Sequence, residues 1–416
     1  AGSRLKATDL PKIISGDSRL RKTVQTTVQL YIFALMLSGY PKTLTNIAIY
    51  FGLTVVSLSR MLSHAFLGEE LEIAINRKTR QILANYINKK NAQVTIDVII
   101  DATLLERSSK KSENVGLYHS NGKKLLGHRI TNIGILLDGD LYVPIAVLSH
   151  KTKGYCKNLG LPYLTEGMMV TRWLREHMSG IKSFCSSTFI DPTSITFLLD
   201  AGYDNAKIQK DILNFGFHFV MMIKSTRSIQ AMKVKEFFKK NRNLAWSSIY
   251  LSKSATKIKK KRKTFRIRTA KDVTLSKVGQ VTVVCSEKSS GRCNKKTRRF
   301  LVSSRSNQTG REIIEQYSRR WAIETWHKDM KQNYGLNENS CSSFISVENH
   351  IKLCLIAYCL HLQYFVSLPV KGASIGDYLH ISVRKSTRQT LSLIKGSDRI
   401  QGELGDLTTT FFGKAS

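Results

Sequence analysis

The chain has 416 residues, enough for about two to four domains and a sizeable buried core. Hydrophobic residues make up 42% of the sequence, which excludes a disordered chain. The formal net charge is +35, and a surface this positive repels itself unless a polyanion is nearby. Nucleic acid is therefore the first candidate partner. A basic protein that binds acidic lipids, or no particular partner, is the alternative.

The seven cysteines give no sign of a disulfide framework or a zinc site, because their number is odd and no Cys-x-x-Cys pair occurs. This pattern is typical of a reducing cytoplasm. No signal-peptide pattern opens the sequence, and the longest apolar run, Leu30–Leu37, is far too short to span a membrane. We therefore expect a cytoplasmic protein without a membrane partner.

Residues 1–92 show little strand-like alternation, and we predict that they form an all-helical amino-terminal DNA-binding domain. Within it, Leu44–Leu62 fits a helix-turn-helix. Ala48 is small where two helices approach closely, and Gly52 lies where the tight turn needs positive φ. The side chains that would then face a DNA major groove are Val55, Val56, Ser57, Ser59 and Arg60. An ordinary helical hairpin with a glycine turn is the alternative.

The sequence changes character at Val94, where β-branched residues become frequent. Residues 93–224 are predicted to form an α/β sheet that begins with a meander, and Asp138-Gly139-Asp140 is a hairpin signal inside it. The predicted strands are Thr95–Asp101, Gly127–Leu137, Leu141–Leu148, Ile195–Leu199 and His218–Ile223. The predicted helices between them are Thr165–Ser179 and Asn205–Phe215.

Residues 225–304 are predicted to be a β-rich insertion in this α/β core. Its strand-like pieces are Thr264–Thr269, Gln280–Cys285 and Arg298–Val302. A basic run precedes them and supplies four candidate contacts to the DNA backbone, Lys259, Lys260, Lys261 and Arg262. A solvated loop is the alternative interpretation of that run.

Two helices are predicted in residues 305–367, where the chain returns to the α/β core. They are Glu312–Asn333 and Val347–Val366, and the second is apolar enough to pack against the core. The remaining tail, residues 368–416, is mixed in character and is a candidate for dimerisation or DNA contacts.

Four polar side chains of the first of these helices share one narrow stripe, since spacings of three, four and seven residues bring them to one helical face. They are Tyr317, Arg320, Glu324 and Lys331. A carboxylate flanked by two cations and a phenol is suited to gripping phosphates around a metal-binding acid. A solvated charged face is the alternative, but Trp321 and Trp326 are costly to expose and favour a packed helix.

The spacing Tyr-x2-Arg-x3-Glu-x6-Lys resembles the YREK signature of the insertion-sequence-four family of DDE transposases. Ile100-Asp101-Ala102-Thr103 resembles the family's first-aspartate strand, although the family often has an acidic residue or a threonine where Ala102 stands. Phe197–Tyr203, with Asp200 at its centre, resembles the second-aspartate segment. The resemblance covers roughly residues 95–365 and leaves the amino-terminal region and the tail without a match.

This resemblance implies a ribonuclease H-like catalytic core interrupted by the β-rich insertion. It also implies that Asp101, Asp200 and Glu324 are the catalytic and metal-binding residues. They would hold two Mg²⁺ ions, for which Mn²⁺ would substitute. Two such ions about 3.5–4 Å apart activate the attacking oxygen and stabilise the leaving oxygen of a phosphodiester. Other aspartates are weaker candidates because of their places in the predicted elements, namely Asp97, Asp191 and Asp204.

Members of this family cut transposon ends, form and reopen a DNA hairpin with a flipped base, and join the end to target DNA. The resemblance implies the same steps here. The side chains that would contact DNA near the scissile phosphate are Tyr317, Arg320, Lys331, Trp321, His327 and Lys328. Trp321 would either stack on the flipped base or buttress its helix, and His327 would either assist near the metals or pack.

The implied partners are double-stranded DNA, both as terminal inverted repeats and as target, and a second copy of the chain in a synaptic dimer. The implied location is the cytoplasm of a prokaryote, in association with the nucleoid. Two other functions stay open. One is a transposase-derived DNA-binding protein that no longer cuts, and the other is a ribonuclease H-like nuclease that cuts without joining.

Overall fold

The computed structural model describes residues 19–37, 41–90, 94–120, 122–188, 190–251, 263–288 and 298–366. Together these residues form a mixed α/β protein with one large mixed sheet. Outside them lie the tail, residues 368–416, and the four candidate DNA contacts of the basic run, Lys259, Lys260, Lys261 and Arg262.

Helices alone fill residues 19–37 and 41–90. They are α1 (Lys22–Met36), α2 (Leu44–Phe51), α3 (Val55–Leu62) and α4 (Leu67–Lys90). Gly52 ends α2 in the left-handed conformation, with a φ of 62°, and the Thr54 side chain caps α3 by accepting a hydrogen bond from Ser57 N. The bend between α2 and α3 is 119°. This geometry is that of a helix-turn-helix, whose two helices meet at about 90–120°.

The amino-terminal helices pack against a long apolar helix from the other end of the described chain, α11 (Phe344–Val366). Tyr31 of α1 and His350 of α11 share a buried hydrogen bond of 2.8 Å. Asn349 donates to the carbonyl of Leu62, at the end of α3, over 2.7 Å. Buried contacts therefore fix the helix-turn-helix region to the rest of the protein.

Twelve strands of the described ranges form a single sheet. They are β1 (Ile96–Glu106), β2 (Gly116–Ser120), β3 (Lys123–Leu137), β4 (Leu141–Ser149), β5 (Thr196–Leu199), β6 (His218–Ile223), β7 (Ser228–Ile229), β8 (Met232–Lys233), β9 (Ser247–Leu251), β10 (Lys263–Leu275), β11 (Gly279–Lys288) and β12 (Arg299–Ser303). β1 pairs antiparallel with β3 and in parallel with β5, and β5 continues in parallel to β6. All the predicted strands are confirmed, whereas β2, β7, β8 and β9 were not foreseen.

The strands of the β-rich stretch extend this same sheet. The strand order is β2-β3-β1-β5-β6-β12-β11-β10-β7-β8, with β4 on β3 and β9 on β10. Phe300 of β12 pairs with Ile223, the last residue of β6, and this antiparallel pairing makes the join. The sheet therefore continues from β1 through β5, β6 and β12 to the outer strands β11 and β10.

Seven helices of the described chain follow the first strands or cover the sheet. They are α5 (Lys153–Asn158), α6 (Glu166–Ser187), α7 (Ala206–Asn214), α8 (Val234–Lys240), α9 (Gly310–Ser318), α10 (Trp321–Asn333) and α11. The α9–α10 pair packs on one face of the sheet and α7 on the other, as shown by side-chain bonds from Gln316 to Asp97 and from Gln209 to Met221. No single helix in the described ranges has the length and apolar character needed to cross a membrane.

The single helix predicted over Glu312–Asn333 is wrong, because the chain forms α9 and α10 with a tight turn at Arg319 and Arg320 between them. In the turn, Arg320 N donates to Tyr317 O at 3.1 Å, three residues back rather than four. The predicted stripe is therefore divided. Tyr317 lies on α9, Arg320 lies in the turn, and Glu324 lies on α10.

Candidate active site

Asp101 lies on β1 directly after a run of fully buried residues, Ile96–Ile100. It is paired with Asn132 of β3, so both side chains point to the face that carries α9 and α10. One oxygen of Asp101, Oδ1, accepts a hydrogen bond of 2.9 Å from the Ala102 amide. The other, Oδ2, accepts one of 2.8 Å from Arg320. The sequence prediction that Asp101 lies on a buried strand is confirmed.

Asp200 follows β5 immediately, and β5 is the parallel neighbour of β1. Ile100 pairs with Leu199, so Asp101 and Asp200 lie side by side just past the parallel pairing, where β5 ends and β1 continues to Glu106. The Asp200 side chain accepts a 2.7 Å hydrogen bond from Ala201 N and caps a short 3₁₀ turn. The fold thus brings together two aspartates that are far apart in the sequence.

Arg320 connects these strands to α10. Its guanidinium donates at 2.8 Å to Asp101 and at 2.6 Å to Glu324, and its side chain is only 12% exposed. The guanidinium also lies 5.7 Å from the centroid of the Tyr317 ring. Arg320 is therefore the hub that joins Asp101, Glu324 and Tyr317, whereas sequence reasoning assigned it only to phosphate binding.

The pKa values show that these groups form one electrostatic cluster. The pKa of Asp101 is raised to about 6, mainly by burial; Arg320 opposes the rise, and the negative charges of Asp200 and Glu324 contribute to it. Burial alone would lower the pKa of Arg320, but Tyr317, Asp101 and Glu324 together raise it. A further positive charge, or a protonated carboxylate, would relieve the crowding of the three acids.

Carboxylate oxygens are the hard ligands that Mg²⁺ prefers, so the donor chemistry of Asp101, Asp200 and Glu324 fits that ion. Their mutual repulsion on Asp101 also fits a site that gains from a bound cation. In the part of the chain that is described, however, no group of three His, Cys, Asp or Glu side chains stands close enough to hold one metal ion. Arg320 lies between two of the three carboxylates and supplies positive charge there.

An open cleft of about 610 Å³ lies beside this cluster. Its lining residues are Asp101, Ala102, Glu324, His327, Lys328, Lys331 and Gln332. Lys328 is exposed, which suits it to an anionic ligand. Lys331 donates at 2.9 Å to the carbonyl of Leu104, so its ammonium is partly engaged by the protein, and burial lowers its pKa. The lining of the cleft therefore carries both acidic and basic side chains.

His327 is buried, and its Nε2 lies 2.7 Å from the Asn132 amide nitrogen. The pKa of His327 is lowered to about 3, mainly by burial and also by the positive charges of Lys331 and Arg320. The imidazole is therefore neutral, with Nε2 accepting from Asn132 Nδ2. Of the two roles considered for His327, packing has the direct structural support.

The two tryptophans of α10 have opposite environments. Trp326 is 2% exposed and lies against Tyr142 and Tyr358, which confirms that this face of the helix is packed. Trp321 is 58% exposed at the start of α10. The expectation that both indoles are buried is therefore wrong for Trp321, because the turn at Arg320 brings it to the surface.

The candidate DNA contacts of the amino-terminal region lie on α3. Val55, Val56, Ser59 and Arg60 are exposed, in keeping with the predicted groove-facing set. Ser57 is half-buried, and its hydroxyl donates to Thr54 O at 2.7 Å. The Ser57 side chain is thus already used at the start of the helix, and the four exposed residues form the accessible surface of α3.

Sequence reasoning missed two residues that hold the site together. Asn132, fully buried across from Asp101, positions His327. Asp97, ranked as a weaker candidate, accepts hydrogen bonds of 2.9 Å from Gln316 and 3.1 Å from Arg319. Asn132 could have been found from the sequence, because it is a polar residue inside an otherwise apolar strand. No local pattern in the sequence identified the partners of Asp97.

Comparison with known proteins gives two findings. Residues 178–360, less than half of the chain, match the model of a family described as a transposase DDE domain, and this stretch contains Asp200 and Glu324. The chain is also similar to a solved structure described as the cryo-EM structure of a piggyBac transposase synaptic complex with hairpin DNA. That similarity has 10% sequence identity and a TM-score of 0.46, and it covers 98% of this chain and 85% of that chain. No curated protein matches the sequence. The family match supports a DDE transposase.

Proposed function

We propose that the chain is a DNA transposase that cuts transposon ends and joins them to target DNA. The observation that carries this proposal is the cluster of Asp101, Asp200 and Glu324, which come from three separate elements and act on one another electrostatically beside an open cleft. The match of residues 178–360 to a transposase DDE domain supports it independently of the geometry. The net charge of +35 supports a polyanionic substrate.

We also propose that the core is ribonuclease H-like and is formed by residues 93–224 and 305–367, with residues 225–304 as its insertion. Support comes from the order of β1, β3, β4, β5 and β6 and from the two aspartates, Asp101 within β1 and Asp200 directly after its parallel neighbour β5. Residues 1–92 are proposed to be the DNA-binding domain. Its helix-turn-helix would place Arg60 and its exposed neighbours on α3 in a major groove.

The proposed metal ligands are Asp101, Asp200 and Glu324, with Mg²⁺ as the ion and Mn²⁺ as a substitute. When bound, two such ions would activate the attacking oxygen and stabilise the leaving oxygen of the phosphodiester. The protein's own part is to hold the carboxylates in position through β1, β5 and α10. Arg320 forms an ion pair with each of Asp101 and Glu324, and it would restrain both carboxylates until DNA binds.

Other side chains near the cleft would hold the DNA. Lys328, at the surface of the cleft, would contact a phosphate, and Lys331 and Arg320 would do so after exchanging their present protein partners. Tyr317 is largely buried, so its proposed role is to support Arg320. Trp321, exposed beside this turn, is the candidate for stacking on a flipped base.

The finer assignment follows the sequence. The spacing of Tyr317, Arg320, Glu324 and Lys331 supports membership of the insertion-sequence-four group and therefore a hairpin intermediate. A homodimer that synapses two inverted repeats belongs to the same proposal. The alternatives are a DNA-binding protein that no longer cuts, and a nuclease that cuts without joining.

The test uses labelled DNA that ends in the inverted repeat found beside the source gene. We expect Mg²⁺-dependent cutting at that end, a hairpin on the flank or the end, and joined products when target DNA is added. Glu324→Gln should abolish cutting and leave binding of the end nearly intact. Binding without cutting by the unmodified protein would favour the silent DNA-binding protein, and cutting without joined products would favour the nuclease.

A further inference from the structure

The outer strands carry a group of arginines around one tryptophan, far from the carboxylate cluster. The guanidinium carbons of Arg268, Arg266 and Arg298 lie 4.3, 4.9 and 5.9 Å from the ring centroid of Trp246. We call these four residues the Arg–Trp cluster. Tyr250, on β9 next to it, is 58% exposed.

The register of the strands places these side chains on one face. Arg266 pairs with Ser248 of β9 and with Glu287 of β11, and residues two apart on a strand point the same way. Trp246 and Tyr250 are each two residues from Ser248 and so share its face. The face therefore presents aromatic rings beside guanidinium groups.

The charge of the Arg–Trp cluster is only partly compensated. Arg298 forms an ion pair with Glu287. Within the described ranges, Arg266 and Arg268 have no carboxylate at ion-pair distance, and the buried Nε of Arg268 has no hydrogen-bond partner. Guanidinium groups this close repel each other unless an anion lies between or above them. The cluster is thus prepared for a polyanion that also offers flat rings or a phosphate backbone.

Strand pairing places the Arg–Trp cluster level with the end of β6, close to the level of the proposed catalytic aspartates. Arg268 pairs with Cys285, Cys285 with Phe300, and Phe300 with Ile223, so Arg268 is level with the end of β6. Asp200 follows the neighbouring strand β5. Four to five strand spacings of about 4.8 Å separate the cluster from Asp200 and Asp101, or roughly 20–25 Å.

The two sites lie on opposite faces of the sheet. Asp101 points to the α9–α10 face, whereas the cluster is on the face of Met221 and α7. Neighbouring strands are rotated by about 20–25°, so over four to five strands the faces turn by on the order of 100° relative to each other. A bound polymer that follows the twist of the sheet across these strands can therefore contact both sites.

We propose that the Arg–Trp cluster is a second DNA-binding site, which grips the phosphate backbone of the same duplex that enters the catalytic cleft. A separation of 20–25 Å corresponds to about six to seven base pairs at 3.4 Å each. Arg266 and Arg268 would each neutralise a phosphate, Trp246 would hold both guanidinium groups in position, and Tyr250 would lie against the sugar or a base. This proposal rests on the proposed function, since it assumes a DNA substrate.

The first test measures binding of the inverted-repeat duplex to the full chain over a range of salt concentrations, by fluorescence anisotropy. Arg266→Gln with Arg268→Gln should lower the slope of log K against log salt by about 1.8, or about 0.9 for each phosphate that is no longer neutralised. The matched control is Arg172→Gln with Arg311→Gln, which removes the same charge from two exposed arginines paired with glutamates on helices. The control should leave the slope unchanged.

The second test locates the contact by ethylation interference. In the unmodified protein, ethylated phosphates six to seven base pairs from the cut should block binding, and this block should vanish in the double variant. If the double variant fails to fold, Arg266→Gln alone, on an exposed side chain, should still lower the slope by about 0.9.

The outcomes separate this proposal from the proposed function. If the unmodified protein binds and cuts while the double variant keeps the control's slope and interference pattern, the second site is overturned and the transposase proposal stands. If the unmodified protein neither binds nor cuts the repeat, both are overturned. A lower slope and the absence of interference in a variant that still folds would establish the second site.

Discussion

Arg320, in the turn before α10, donates a 2.8 Å hydrogen bond to Asp101 of β1, a residue 219 positions earlier in the chain. The same guanidinium bonds Glu324 at 2.6 Å. One cation therefore restrains two of the three proposed catalytic carboxylates. Removing this cation leaves two half-buried acids facing each other and a third, Asp200, nearby. Arg320 is thus a structural link as well as a candidate phosphate ligand.

Arg320→Met should lower the free energy of unfolding by about 1.5–3 kcal/mol, the usual contribution of hydrogen bonds to charged groups. Cutting should fall sharply as well, because Asp101 and Glu324 lose their fixed separation. Urea unfolding and the cleavage assay measure the two effects. Arg320→Lys is the control, since it keeps the charge but cannot span both carboxylates in the fork geometry of arginine. Unchanged stability and cutting in Arg320→Met would contradict the linking role.

The buried His327 should make the protein sensitive to acid. Its pKa is lowered from 6.5 to about 3 by burial and by the positive charges of Lys331 and Arg320. The unfolded chain therefore binds the proton first, and stability is lost as the pH falls below about 6.5, by up to about 1.4 kcal/mol for each pH unit. His327→Gln should remove this part of the loss between about pH 6.5 and pH 5. Urea unfolding at the two pH values measures it.

The matched control for this experiment is His177→Gln, on the exposed face of α6. Its effect on stability should be small, because the side chain is exposed. If His327→Gln loses stability with acid as steeply as the unmodified protein, His327 is not the neutral buried group proposed here. His350 and His361 have pKa values lowered to about 4, mainly by burial, and they contribute to the acid sensitivity that remains in the variant.

The sequence predicted the parts of the fold that depend on local composition. The β-branched run before Asp101 and the apolar run before Asp200 predicted buried strands, and both strands are present. The residues themselves do not predict that these strands are parallel neighbours. The pairing of Ile100 with Leu199 is what brings the two aspartates together, and pairing between distant strands leaves no trace in local periodicity.

The sequence failed where tertiary contacts decide the local structure. Helical periodicity continues through residues 312–333, yet the chain turns at Arg320. Arg319 is bonded to Asp97 and Arg320 to Asp101, and both partners lie on β1. These bonds favour a three-residue hydrogen-bond spacing in the turn over a regular helix. Trp321 is consequently exposed.

Asp97 should be structural and not a metal ligand, although it lies on the same strand and face as Asp101. It is 1% exposed, and it is held by Gln316 of α9 and Arg319 of the turn. Asp97→Ala leaves Gln316 and Arg319 without their acceptor and should cost about 1–3 kcal/mol of stability, the usual cost of an unsatisfied buried polar group. Asp97→Asn keeps one accepting oxygen and therefore one of the two hydrogen bonds, and it should cost less.

A titration of cutting against Mg²⁺ separates Asp97 from Asp101. In Asp97→Asn, the concentration of Mg²⁺ needed for half-maximal cutting should equal that of the unmodified protein, whereas Asp101→Asn should abolish cutting at any concentration. A strong change in the Mg²⁺ requirement of Asp97→Asn would place Asp97 among the ligands and would require another assignment for Asp101.

The exposed Trp321 and the buried Trp326 offer a direct comparison of two indoles on one helix. Trp326→Ala should destabilise the protein by about 3–5 kcal/mol, the usual cost of emptying a buried aromatic site. Trp321→Ala should change stability by less than about 1 kcal/mol, because 58% of its surface is already in water.

If Trp321 stacks on a flipped base, the same variant should accumulate nicked DNA and form little hairpin, since base–aromatic stacking contributes about 1–3 kcal/mol. Trp321→Phe should restore part of the hairpin yield because it keeps a flat ring. A stable Trp321→Ala protein with normal hairpin formation would leave Trp321 without a role in the base-flipping step, and a large loss of stability would return it to the buttressing role.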